Sequence, residues 1–189
     1  MDPLSKLFGS PQRLKLLRLF LFNNDTSFSV SDAAFRSKIT EDQARKEMNA
    51  LAAIGLVRRR TSGGKAVYQA NRAFEHYTAL NVFLRSTSAV KDADLTKMLK
   101  RAGTLRLVVL SGMFTGSIES KVDILIVGDR LEERVLKNVV HTIEAELGRE
   151  LRYASFLTPD FRYRAGVYDR LIRDVMDYPH RTLLDKIGL

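Results

Sequence analysis

Two short, largely apolar runs at residues 105–110 (LRLVVL) and 122–127 (VDILIV) constrain this chain most. Both read as strands, and the connection between them carries a Gly/Ser-rich turn, a short polar loop and then a carboxylate, Asp123, at the head of the second strand. A helical pattern follows over residues 131–147, another strand over 151–156, and a helix that opens at Thr158-Pro159 in cap-and-proline fashion. Residues 167–176 predict a further helix and 181–184 a last strand, while residues 91–102 predict a helix ahead of the first strand, ended by Gly103. That alternation predicts an α/β arrangement, a sheet covered by helices, over residues 90–189.

The first third of the chain reads differently. Ser10-Pro11 is a helix start, and Leu14, Leu17, Phe20 and Leu21 recur at helical spacing until Asn23-Asn24-Asp25. Phe28 to Val30 fits a short strand, with Ser31 capping a brief helix over residues 32–36. Thr40-Glu41-Asp42-Gln43 is a capping box that opens a third helix, stopped at Gly55. Its predicted inner face is Ala44, Met48, Leu51 and Ile54, leaving Gln43, Arg45, Lys46 and Asn49 outside. Residues 56–60 then predict a strand, Thr61 to Gly64 a tight turn, and residues 65–68 the returning strand of a hairpin. Phe74, Tyr77, Leu80, Phe83 and Leu84 give one more amphipathic helix, whose apolar stripe needs the first helix, the second domain or another copy of the chain as partner.

Charge separates the two parts. The formal net charge is +9, and residues 1–72 hold 13 Lys/Arg against 6 Asp/Glu, so the excess is concentrated where the short helices and hairpin lie. A surface of that sign attracts polyanions. The absence of cysteine excludes disulfides, thiolate metal sites and cysteine nucleophiles. The first residues lack a basic stretch followed by an apolar core, and Lys15 and Arg18 interrupt the most apolar run, which predicts a soluble cytoplasmic protein without membrane contact. His76, His141 and His180 are scattered without metal-ligand spacing.

The segments KLFGSPQRLKLLRLFL, EDQARKEMNALAAIGLVRRR and GGKAVYQAN resemble winged helix-turn-helix transcriptional regulators over about residues 4–72. That resemblance implies that the third helix enters a DNA major groove and the hairpin touches backbone or minor groove. Gln43, Arg45, Lys46, Asn49, Arg58, Arg60 and Lys65 are then the DNA-facing set, with cations for phosphates and Asn49 for adenine. Strand alternation turns Arg59 away from Arg58 and Arg60, while Glu41 and Asp42 repel phosphate. Double-stranded DNA and a second copy of the chain are the implied partners.

Residues 90–189 resemble the minimal nucleotidyltransferase domain of the DNA polymerase beta superfamily. Active members use a Gly-Ser turn for the triphosphate and three carboxylates for two divalent cations. Here the turn is Ser111-Gly112, with Thr115, Gly116 and Ser117 after it, and only Asp123 matches a carboxylate position. Lys121 stands at the first aspartate position, the strand over 151–156 has no carboxylate, and Glu150 precedes it. The expectation is a two-domain α+β / α/β chain with a winged-helix domain (1–72), a connector helix (73–89) and an inactive nucleotidyltransferase-like domain (90–189). No metal and no cofactor are expected, and Asp123 is expected to accept hydrogen bonds from the turn. An active transferase using Asp123, and a non-catalytic module that binds a nucleotide or protein effector at residues 111–117, remain as alternatives.

Overall fold

The computed structural model describes residues 3–87, 90–117 and 119–188. It is a mixed α+β fold with two small sheets flanked by helices. The chain separates into two compact units: residues 1–90 together with 141–150, and residues 91–140 together with 151–189. Ser88, where the sequence places the boundary, and Ala89 lie outside the described residues.

The first unit is built around a central helix. A short helix α1 (Pro3–Leu7) precedes α2 (Pro11–Phe22), whose N-cap Ser10 accepts the Arg13 N–H. Leu14, Leu16, Leu17, Leu19, Phe20 and Leu21 are all buried, so α2 is apolar on nearly every side and other elements pack around it. Helix α3 (Val30–Ser37) is capped by Ser29 and not by Ser31, because Asp32 reaches back to the Ser29 N–H and completes a capping box only in that register. Phe28 forms a single bridge to Tyr68 where the sequence suggested a short strand. Helix α4 (Glu41–Ala53) starts on the expected Thr40/Gln43 box.

Its far end departs from the expected apolar face. Gly55 takes φ +79°, and the Leu56 N–H bonds the Leu51 carbonyl while the Gly55 N–H bonds that of Ala52. This left-handed cap ends the helix before Ile54, which is left 61% exposed, and Glu47 takes the buried place instead. Glu47 is neutralised there by Arg13 Nε at 2.7 Å and accepts from the Ser10 hydroxyl. Strands β1 (Val57–Ser62) and β2 (Lys65–Ala70) form the antiparallel hairpin. Helix α5 (Tyr77–Ser86) buries Tyr77 and Leu84, and both the Tyr77 hydroxyl and Asn81 Nδ2 donate to the Leu21 carbonyl, so α2 is the partner of its apolar stripe. Residues 141–150 dock on the same unit through Lys15–Glu146 and Arg36–Glu150 ion pairs at 3.0 and 2.6 Å. Gly148 is required there, since a Cβ would come within 2.6 Å of the Arg18 backbone.

The second unit holds α6 (Asp92–Leu99), β3 (Thr104–Leu110), β4 (Ile124–Asp129), the first part of α7 (Glu133–Leu147), β5 (Tyr153–Leu157), α8 (Thr158–Gly166), α9 (Arg170–Asp177) and β6 (Arg181–Asp185). Strand order is β5-β4-β3-β6. Strand β3 runs antiparallel to both neighbours and only β4–β5 is parallel, so the sheet is mixed and the unit α+β where the sequence suggested α/β. Leu107, Val109, Leu125 and Val127 pack against Phe161, Ile172 and Val175 of α8 and α9, while Val108, Leu110, Ile124 and Ile126 are buried too. Burial on both faces explains why the two central strands read as unbroken apolar runs.

Candidate functional site

The glycine turn of the second unit is closed on itself. Gly112 follows β3 in the left-handed region at φ +51°, where any Cβ would overlap Asp123 Oδ1, so the backbone passes directly against that carboxylate. Asp123 is 3% exposed and accepts four hydrogen bonds: Met113 N–H at 2.9 Å and Arg152 Nη2 at 2.9 Å on Oδ1, Arg152 N–H at 2.9 Å and Arg152 Nε at 3.2 Å on Oδ2. Burial pushes the Asp123 carboxyl up, but the Arg152 guanidinium and the two backbone N–H groups outweigh it and leave the carboxyl below its ordinary value.

The turn's remaining polar groups are also engaged. Ser111 Oγ and Ser120 Oγ are 2.7 Å apart and both donate to the Val122 carbonyl, deep in the interior. Thr115 Oγ1 donates to the Gly112 and Pro179 carbonyls, and the Ser117 N–H bonds the Gly112 carbonyl. Gly116 sits at the exposed tip with open space where a Cβ would stand.

Asp123 thus accepts from the turn, as the sequence suggested, and the side chain that neutralises it is Arg152. Lys121 is exposed, and its backbone N–H is bound to Asp174 at 3.0 Å. Glu150 pairs with Arg36 in the first unit. Among the described residues no group of three His, Asp or Glu is placed to hold a metal ion. The lone pairs of Asp123 that a divalent cation would need are already taken.

The sequence did not single out Arg152, whose place beside Asp123 depends on the β4–β5 register. A buried carboxylate needs a partner, and pairing Ile124 with Tyr153 in the parallel β4–β5 ladder puts residue 152 beside residue 123.

The first unit presents a different surface. Helix α4 shows Gln43, Arg45, Lys46 and Asn49 to solvent. Gln43 Oε1 is occupied by the Thr40 N–H at 3.0 Å. Arg45 is neutralised along its own helix by Asp42 at 2.9 Å and Glu41 at 3.9 Å. Asn49 Oδ1 accepts the Tyr68 hydroxyl at 2.8 Å, which ties the helix to the hairpin and leaves the Asn49 amide nitrogen without a hydrogen bond among the described residues.

The hairpin register decides which arginine shares the face that meets α4. Val57 pairs with Ala70 and Arg59 with Tyr68, so Arg59 shares the face of the hairpin whose Tyr68 reaches α4. Arg58 and Arg60 pair with Gln69 and Val67 on the opposite face. Lys46, Arg58, Arg59 and Arg60 are exposed, and their side chains make no hydrogen bond or ion pair among the described residues. Lys65, at the hairpin tip, contributes to holding the Asp32 carboxyl below its ordinary value, though the hydrogen bonds from Ser29 do most of this.

Comparison with known proteins finds no matching family model, no matching curated protein and no matching solved structure. No helix among the described residues is long and apolar enough to cross a membrane.

Proposed function

We propose that this chain is a sequence-specific double-stranded DNA-binding protein, a transcriptional regulator of winged helix-turn-helix type, whose second unit is a nucleotidyltransferase-like fold that no longer transfers nucleotides. The observation that carries the proposal is the α4–hairpin surface. There Lys46, three residues before Asn49 on α4, and Arg59, opposite Tyr68 on the hairpin face that meets α4, expose side chains with no partner among the described residues. Cations fixed on a scaffold and free of carboxylates are what a phosphate backbone selects, and a positioned asparagine amide recognises adenine in the major groove.

The register changes the weighting of the hairpin arginines. Arg59 joins Lys46 and Asn49 as the groove-facing set, while Arg45, tied to Asp42, contributes less than its charge suggests. In the second unit the strand–turn–strand layout supports the ancestral resemblance, and the saturated Asp123 opposes catalysis. A second copy of the chain, docking through Val82 and Phe83 on the outer side of α5, completes the proposal for a two-fold symmetric DNA site.

The test is fluorescence anisotropy of the full chain on labelled genomic duplexes. Arg59→Gln and Lys46→Gln are each expected to weaken binding about five- to tenfold, and Arg45→Gln about twofold. Absence of binding on every duplex, or equal losses for all three variants, contradicts the reading.

A further inference from the structure

The hairpin has a second basic face, and it opens onto a cleft. Asn24, Asp25, Arg58, Arg60, Gln69 and Arg72 line a depression of about 310 Å³ in the first unit, on the side of β1 and β2 opposite to the one that meets α4. Arg58 and Arg60 are two residues apart on one strand, so their side chains leave the backbone roughly 7 Å from one another on the same side.

The third guanidinium is held in place. Arg72 Nη2 donates to Asn24 Oδ1 at 2.8 Å and to the Asp25 carboxylate at 2.7 and 2.8 Å, leaving Nε and Nη1 without a hydrogen bond among the described residues. Gln69 is fixed by its bond to the Asn24 carbonyl at 3.3 Å. Asp25 therefore orients Arg72 while cancelling one charge, and three arginines against one carboxylate leave the cleft with a surplus of two positive charges.

We propose that this cleft is a phosphate-binding site. Three guanidinium groups, one of them braced, match the several acceptor oxygens of a phosphate group better than the two of a carboxylate. The occupant is either a phosphate of a nucleic-acid backbone or the phosphoryl group of a small metabolite. Because the cleft faces away from α4, the site goes beyond the groove-facing set described above.

The experiment is calorimetric titration of the full chain with inorganic pyrophosphate at low salt. Saturable one-to-one binding is expected. The Arg58→Gln/Arg60→Gln variant should bind at least tenfold more weakly, and the charge-matched Arg162→Gln/Arg170→Gln variant within twofold of the parent. No saturable binding, or the same loss in both double variants, overturns the site.

Repeating the titration with saturating duplex separates the two sources. Loss of pyrophosphate binding assigns the cleft to a DNA phosphate, and unchanged binding assigns it to a free phosphorylated ligand. A chain that binds pyrophosphate but no duplex keeps the cleft and ends the regulator proposal, and the reverse result keeps the regulator and ends the cleft.

Discussion

Asp123 is a buried carboxylate whose hydrogen-bonding capacity the fold uses up. A carboxylate at 3% exposure requires compensation, and here Arg152 and two backbone amides supply it in full. Asp123→Asn places an amide N–H₂ against these donors. It should lower the stability of the second unit by about 2–3 kcal/mol, read as a fall of roughly 10 °C in its thermal transition. A shift under about 2 °C would mean that the Arg152 fork contributes little. The same geometry fixes a pH dependence. Because the folded Asp123 carboxyl lies below its ordinary value, its contribution is complete above the unfolded value of about 3.9 and is lost as pH falls through the lower folded value. Urea midpoints should therefore fall more steeply below about pH 4 for the parent than for Asp123→Asn. Parallel pH profiles would contradict the assignment.

At the scale of elements, α4 and the hairpin act as one unit through the Tyr68–Asn49 bond. Tyr68→Phe removes only the hydroxyl. It should cost about 1 kcal/mol of stability, and it should reduce discrimination among duplexes more than affinity for any of them. Unchanged discrimination in competition binding would separate Asn49 from base recognition. Much of this element was legible in the sequence, because caps are local: Ser10-Pro11 and the Thr40/Gln43 box fixed the starts of α2 and α4. Errors arose where a choice depended on geometry a few residues further on. Ser27 and Ser29 precede α3 and Ser31 lies in its first turn, and only Ser29 has Asp32 at the distance that closes a box. Helical spacing carried Ile54 inward, and the left-handed Gly55 cap turned it out. Alternation separated Arg59 from its neighbours correctly, but which face meets α4 depends on Tyr68 and on tertiary packing. Arg152 lay beyond reach for a similar reason, as its pairing with Asp123 spans 29 residues and needs the β4–β5 register.

For the whole molecule, the uneven charge visible in the sequence persists as particular side chains. In the first unit Lys46, Arg58, Arg59 and Arg60 expose side chains without a hydrogen bond or ion pair among the described residues, and in the second the buried Asp123 carboxylate is paired with Arg152. A chain built this way should engage DNA mainly by releasing counterions, with its unmatched cations setting the number of phosphates neutralised. The measurement that tests this most directly is duplex affinity against salt concentration for the full chain and for Arg59→Gln. If Lys46 and Arg59 each neutralise one phosphate, log K should fall with log salt at a slope of about −2 per chain, steepening to about −3 to −4 if Arg58 and Arg60 also take DNA phosphates. Arg59→Gln should make that slope shallower by about 1. A slope near zero, or one that Arg59→Gln leaves unchanged, would contradict the account.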